Sequence, residues 1–168
     1  ALLADESATA RYRGGAFACL YLAPYNYHRI HMPLAGRLTA TRYVPGDFYS
    51  VNAATARAVP GLFARNERVV AEFDTALGPM AMVLVGALFV GSIETVYAGE
   101  INPPPARGGR VRAITEGVGT EFARGAEMGR FNMGSTVILL VGRGGIRFAE
   151  GLGTGQPVRM GQRLASAT

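Results

Sequence analysis

The stretch Gly129-Arg130-Phe131-Asn132-Met133-Gly134-Ser135-Thr136-Val137-Ile138-Leu139-Leu140-Val141 decides how this chain is read. Val137 to Val141 is an unbroken apolar run, and Gly142-Arg143-Gly144-Gly145 ends it with a turn. A run of that length between glycine-rich breaks reads as a strand. Working outward, Phe17 to Leu22 is a second apolar run, broken by Ala23-Pro24-Tyr25-Asn26. Gly36 to Val44, Arg68 to Phe73, Met80 to Val85, Ala87 to Tyr97 and Arg110 to Thr115 read as further strands. Pro45-Gly46-Asp47 and Gly125 to Gly129 read as turns, and 74–79 as a hairpin-type connection. Helix is sparse: a short or frayed start over Ala1 to Ala10, and Ala53 to Val59, stopped by Pro60-Gly61. Asn102 to Gly109 is rich in proline and glycine and reads as a surface loop.

Glu127-Met128-Gly129-Arg130-Phe131 and Val158 to Leu164 each set a glycine between apolar residues near a strand start. Hairpins of barrel-sandwich and related hybrid folds share that pattern. The expected fold is mainly β (β-rich α+β): a compact barrel-sandwich or hybrid-type β domain with few short helices. At 168 residues, 49% hydrophobic and 17% charged, the chain has the size and composition of a single domain, 1–168, with a real core.

Composition also limits the chemistry. All 17 basic residues are arginine, against 12 acidic ones, for a net charge of +5. Without lysine, no pyridoxal phosphate Schiff base can form on this chain. Carbanion chemistry on an amine would therefore need another electron sink. The positive charge suits an anionic partner such as phospholipid. The arginines are scattered, with no run of five, so no nucleic acid is expected as a partner. Cys19 is the only cysteine, which excludes an internal disulfide and a cysteine-based zinc cluster. The longest apolar run, Pro79 to Ile93, is interrupted by Gly86 and Gly91. It falls short of the roughly 20 residues of a membrane-spanning helix and reads as two buried strands. The chain opens on Ala1 without Met or a charged leader and reads as part of a longer protein.

Two groups of residues could do chemistry. A serine after glycine can attack the preceding carbonyl, giving an ester, and elimination from that ester can leave a pyruvoyl group. Gly134 permits a strained backbone and brings no Cβ to obstruct the attack. The reaction also needs a base and donors for the oxyanion. The G-x-S-x-G elbow of hydrolases is absent around Ser135. His28 and His31 are the only histidines and stand three apart between Pro24 and Pro33. Structural, acid-base and metal-ligand roles are all open to them. No HExxH or cysteine set completes a zinc site, so no metal is expected.

Tyr27-His28-Arg29-Ile30-His31-Met32-Pro33, Val44-Pro45-Gly46-Asp47, Leu62-Phe63-Ala64-Arg65-Asn66-Glu67-Arg68, Val85-Gly86-Ala87, Val90 to Val96, and Glu127 to Phe131 followed by Gly134-Ser135-Thr136-Val137 occur in this order. Together they resemble the phosphatidylserine decarboxylase family, over about Ala16 to Leu164. The resemblance implies a proenzyme that cleaves itself at Gly134-Ser135, in an L-G-S-T motif with Met133 replacing the leucine. Residues 1–134 would form the β chain and 135–168 the α chain of the same proenzyme, which stay associated. Ser135 would become a covalent pyruvoyl cofactor. The amine of phosphatidylserine would form a Schiff base with it, lose carbon dioxide and leave phosphatidylethanolamine.

By the same resemblance, His31 is the base of self-cleavage in an Asp-His-Ser arrangement, and His28 belongs to decarboxylation. The family's aspartate lies in an upstream P-A-D-G-type segment, and no residue here matches it. The family's membrane-associating N-terminal helices have no counterpart either. Asn26 stands where many relatives carry aspartate. The implied location is peripheral, on the cytoplasmic face of a bacterial inner membrane with phosphatidylserine in an anionic bilayer, and a homodimer is compatible with it. Two other readings remain: a non-catalytic, unprocessed β module of that family, and a zinc hydrolase using His28 and His31.

Overall fold

The computed structural model describes residues 1–88, 92–101 and 109–168. Helix α1 (Glu6–Ala10) precedes strands β1 (Ala16–Leu22), β2 (Arg29–His31) and β3 (Gly36–Val44). Two more short helices follow, α2 (Ala53–Ala58) and α3 (Leu62–Arg65), then β4 (Arg68–Thr75) and β5 (Gly78–Val85). After these come β6 (Ile93–Thr95), β7 (Gly99–Glu100), β8 (Arg112–Ile114) and β9 (Glu121–Phe122). The chain closes with β10 (Glu127–Phe131), β11 (Ser135–Val141), β12 (Ile146–Phe148) and β13 (Ala165–Ala167).

The larger sheet has the antiparallel order β1-β11-β5-β4-β3-β8, with β9 also pairing β3. A smaller sheet has the order β2-β10-β6-β7, and β12 pairs β13 in a separate ribbon. The chain is therefore mainly β with few short helices, as its apolar runs require. β11 lies inside the larger sheet, and its apolar side chains are buried, Leu140 partly. Val69, Val83 and Leu139 from the larger sheet join Ile30, Ile93, Met128 and Phe131 from the smaller one in one core cluster.

The N-terminal segment is tied to the larger sheet by arginine. Arg68 donates to the carbonyls of Ala1 and Leu2 at 2.9 and 2.7 Å, and burial pulls its pKa below the usual guanidinium value. Arg42 pairs with buried Glu72, which also accepts from Tyr12. Leu3 and Ala8 join the core on that side.

Several expectations change. Ala87 to Tyr97 is not one strand: its described part contains only β6, and Phe89 to Gly91 lie outside the described residues. The Gly86 N–H still donates in register to the Glu67 carbonyl at 2.7 Å, but the ladder stops there because the return bond is diverted: the Glu67 N–H donates to the Asp47 carbonyl at 2.9 Å and the Gly86 carbonyl accepts from Asn66 Nδ2 at 2.9 Å. Of the expected loop at Asn102 to Gly109, residues 102–108 lie outside the described residues. Gly125 to Gly129 is not wholly a turn, since β10 begins at Glu127 and buries Met128 and Gly129. Val158 to Leu164 holds a turn from Arg159 to Gln162, not a strand start, because exposed Val158 and Met160 have no apolar face to cover.

Gly129 sets the spacing of the smaller sheet, which carries the histidine segment. A Cβ there would stand 2.5 Å from the Glu94 carbonyl oxygen of β6. Gly129→Ala must push β10 off β6, and urea unfolding should show a loss of about 1–3 kcal/mol.

Candidate active site

Gly134 and Ser135 sit where the chain enters β11. Gly134 has φ +33°, in the region that disfavours any side chain, and a Cβ on it would crowd Pro24 at 3.3 Å. Ser135 is fully buried, and its hydroxyl donates to the Val85 carbonyl at the end of β5. The serine oxygen is thus fixed to a neighbouring strand immediately after a bent glycine.

His28 reaches this dipeptide from a tight turn. The Asn26 N–H donates to the Ala23 carbonyl at 2.8 Å, and the Ala23 N–H donates to Asn26 Oδ1 at 2.8 Å. That double clamp turns the chain after β1 and delivers Tyr27 and His28. The His28 carbonyl accepts from Phe131 N–H at 3.1 Å, which ties the turn to β10. Its Nε2 accepts from the Gly134 N–H at 2.6 Å. A nitrogen that accepts carries no proton, so neutral His28 holds its proton on Nδ1.

His31 is held differently. Its Nδ1 donates to the Gly125 carbonyl at 2.8 Å, leaving Nε2 to accept from the Tyr27 hydroxyl at 2.8 Å. The Tyr27 and His31 rings stack with centroids 5.8 Å apart. Of the two histidines, His28 contacts the Gly134-Ser135 dipeptide, while both ring nitrogens of His31 are engaged elsewhere. The pair does not converge on one point. Among the described residues no three His, Cys, Asp or Glu side chains gather as metal ligands.

The nearby cations are neutralised. Arg29 binds both carboxylate oxygens of Glu127, at 2.7 and 2.8 Å, and that hydrogen bonding raises its pKa. Arg130 makes a forked pair with Glu94 at 2.7–3.0 Å. Neither guanidinium is free for a phosphate. A small cavity of about 50 Å³ opens beside Gly134, lined by Tyr21, Leu22, Pro24, Val51 and Leu88 among others. A larger depression of about 550 Å³ between β12 and β13 contains none of these residues.

The sequence pointed to Gly134, Ser135, His28 and His31, and the structure joins the first three directly. It did not point to the Val85 and Gly125 carbonyls, because backbone acceptors leave no mark on residue type. Asn66 was also missed as a site residue. It is fully buried and bonds Tyr49 N–H, Tyr49 carbonyl and Gly86 carbonyl at 3.1, 2.8 and 2.9 Å, framing two walls of the small cavity. Its signal was a polar amide in an otherwise apolar, charged run.

A buried serine hydroxyl therefore follows a left-handed glycine whose amide is met by an imidazole. The chain matches phosphatidylserine decarboxylase over residues 1–166 and belongs to that family. It is 55% identical over 162 residues to the phosphatidylserine decarboxylase proenzyme of Methylococcus capsulatus, covering 96% of this chain and 56% of that protein. The proenzyme of Methylibium petroleiphilum is 53% identical, covering 97% and 57%, and that of Shewanella pealeana 52%, covering 98% and 59%. The chain thus spans a little over half the length of these curated relatives.

The hydrogen bonds assign one tautomer to both histidines. In a Ser135→Ala protein, at a pH where both rings are neutral, long-range ¹⁵N–¹H correlation spectra should show Nδ1–H on each. An Nε2–H pattern at His28 would contradict its contact with Gly134.

Proposed function

We propose that this chain is the catalytic region of a self-cleaving phosphatidylserine decarboxylase, which converts phosphatidylserine to phosphatidylethanolamine. The observation that carries this reading is the Ser135 hydroxyl, held on Val85 immediately after Gly134 at φ +33°. Attack needs an oxygen fixed close to a carbonyl with no side chain in the way, and these two residues supply that. Both imidazoles carry an Nε2 lone pair able to take the serine proton. Each lone pair is engaged, that of His28 by the Gly134 N–H and that of His31 by the Tyr27 hydroxyl, and each would first release that partner.

Scission after Gly134 would leave 135–168 attached through β11, whose residues pair with β1 on one side and β5 on the other. Ser135 fits a pyruvoyl precursor, being buried and first in its strand. That group supplies an electrophilic carbonyl for a substrate amine and a sink for electrons as carbon dioxide leaves. The absence of lysine, and with it of an internal pyridoxal anchor, agrees with this assignment. Within the site, His28 is placed to hold or move a proton beside residue 135.

A membrane lipid must bring its headgroup to residue 135. Tyr21, Tyr25, Leu88 and Met133 are exposed apolar side chains on the segments that carry or line this opening. Aromatic and aliphatic side chains of this kind suit a bilayer interface. The net charge of +5 favours an anionic leaflet. We place the protein peripherally on the cytoplasmic face of a bacterial inner membrane. No helix among the described residues is long and apolar enough to cross a membrane.

Intact-mass spectrometry of the full-length protein tests the reading. It should yield two chains divided at Gly134-Ser135, with a pyruvoyl group opening the shorter one, and Ser135→Ala should remain a single chain. In the same assay His31→Ala should stay uncut, while His28→Ala should be cut yet decarboxylate poorly. The reverse pattern would assign cleavage to His28. For the membrane surface, Tyr25→Glu combined with Leu88→Glu should weaken co-sedimentation with phosphatidylserine vesicles. It should also slow turnover on those vesicles while sparing turnover of a soluble short-chain phosphatidylserine.

A further inference from the structure

Among the described residues, one buried side-chain polar atom has no hydrogen-bond partner: Thr136 Oγ1. It belongs to the second residue after the proposed scission bond. Thr136 is fully buried in β11, opposite Tyr21 of β1 and Val85 of β5. The Val85 carbonyl is already engaged by Ser135. Tyr21 and Gly134, its neighbours across the sheet and along the chain, both line the small cavity.

Folded proteins seldom leave a buried hydroxyl unmatched. Valine has nearly the same shape and would occupy this position without that penalty. The hydroxyl therefore costs stability in the uncut chain and gains nothing there. A donor that is unpaired in the ground state and paired in the transition state is the arrangement that accelerates a step.

We propose that the Thr136 hydroxyl is the donor for the oxyanion of self-cleavage, an inference that rests on the reading above. In that step a lone pair of Ser135 Oγ forms a bond to the Gly134 carbonyl carbon, and the carbonyl π pair moves onto its oxygen. Thr136 Oγ1–H donates to that negatively charged oxygen. The Oγ proton passes through an imidazole to the Ser135 nitrogen. The carbonyl then re-forms as the Gly134–Ser135 C–N bond breaks, leaving an ester and a free amine. No atom is gained or lost, and nothing is oxidised or reduced. Thr136 lies one residue beyond Ser135, two residues along the chain from the carbonyl that gains the charge.

The test uses the full-length protein. Thr136→Val and Thr136→Ser are followed by the rate of conversion to two chains, and Tm is read with Ser135→Ala added so that every sample stays uncut. Thr136→Val should have a Tm equal to or above its parent and cleave about 10²-fold more slowly. Thr136→Ser should keep most of the rate. Because the hydroxyl does not titrate, the slower rate should leave the shape of the pH profile unchanged, unlike loss of a base. Cleavage of Thr136→Val at the parent rate would show an idle hydroxyl and overturn the proposal. So would a fall in its Tm, which would show a hydroxyl already paired. If the parent itself remains one chain, the self-cleavage reading fails, and that result is seen separately in the unsubstituted protein.

Discussion

The two-sided pairing of β11 is the interaction on which the rest depends. Its seven residues run in register against β1, from Leu22 opposite Ser135 to Ala16 opposite Val141. Thr136 to Val141 run against β5 on the other side. Hydrogen bonds and buried side chains therefore hold the strand independently of the covalent link through Gly134. The same pairing brings the end of β5 beside Ser135, which is why the serine hydroxyl meets the Val85 carbonyl. Cohesion of the sheet and placement of the hydroxyl come from a single register.

Around that strand polar side chains fix the loops alongside apolar packing such as that of Val51 and Ala87. Asn26 closes the turn that delivers His28, and Asn66 bonds two segments that wall the cavity beside Gly134. Each such bond adds only about 1 kcal/mol, but leaving its buried partners unmatched costs more. The amides therefore specify one loop arrangement more than they strengthen the fold. Functional groups on loops gain their accuracy from such clamps.

Strands were legible where burial demanded long apolar runs, as in β5 and β11, and where turn residues bounded them, as in β3; the apolar run of β1 also formed a strand, although its residues alternate between exposed and half-buried. They were illegible where the backbone makes its bonds elsewhere. At Gly86 the carbonyl is taken by Asn66 and the facing Glu67 N–H by Asp47, so the apolar residues after it leave the ladder in place of forming the second long strand. In Val158 to Leu164 the alternation was present but had no surface to bury against. The Gly134-Ser135 pair could be read because its chemistry depends on residue type. The roles of the histidines could not be read from spacing alone. Their partners are two backbone groups, the Gly134 N–H and the Gly125 carbonyl, and a tyrosine four residues from His31.

Among the described residues, buried side-chain polar groups are matched except at one point. Asn66 uses both ends of its amide, and Glu72 is met by Arg42 and Tyr12. Beside them, Gly134 holds a left-handed backbone and Thr136 holds an unmatched hydroxyl, on either side of a buried serine. Such features persist only where the surroundings over-determine them, and here the surroundings are β1, β5 and the Pro24 turn. On the proposed reaction the cut turns Gly134 into a chain end, free to leave its constrained conformation. β11 would then begin at residue 135 with its pairing intact. The pairing with β1 and β5 would thus keep the frame that the new chain end must occupy.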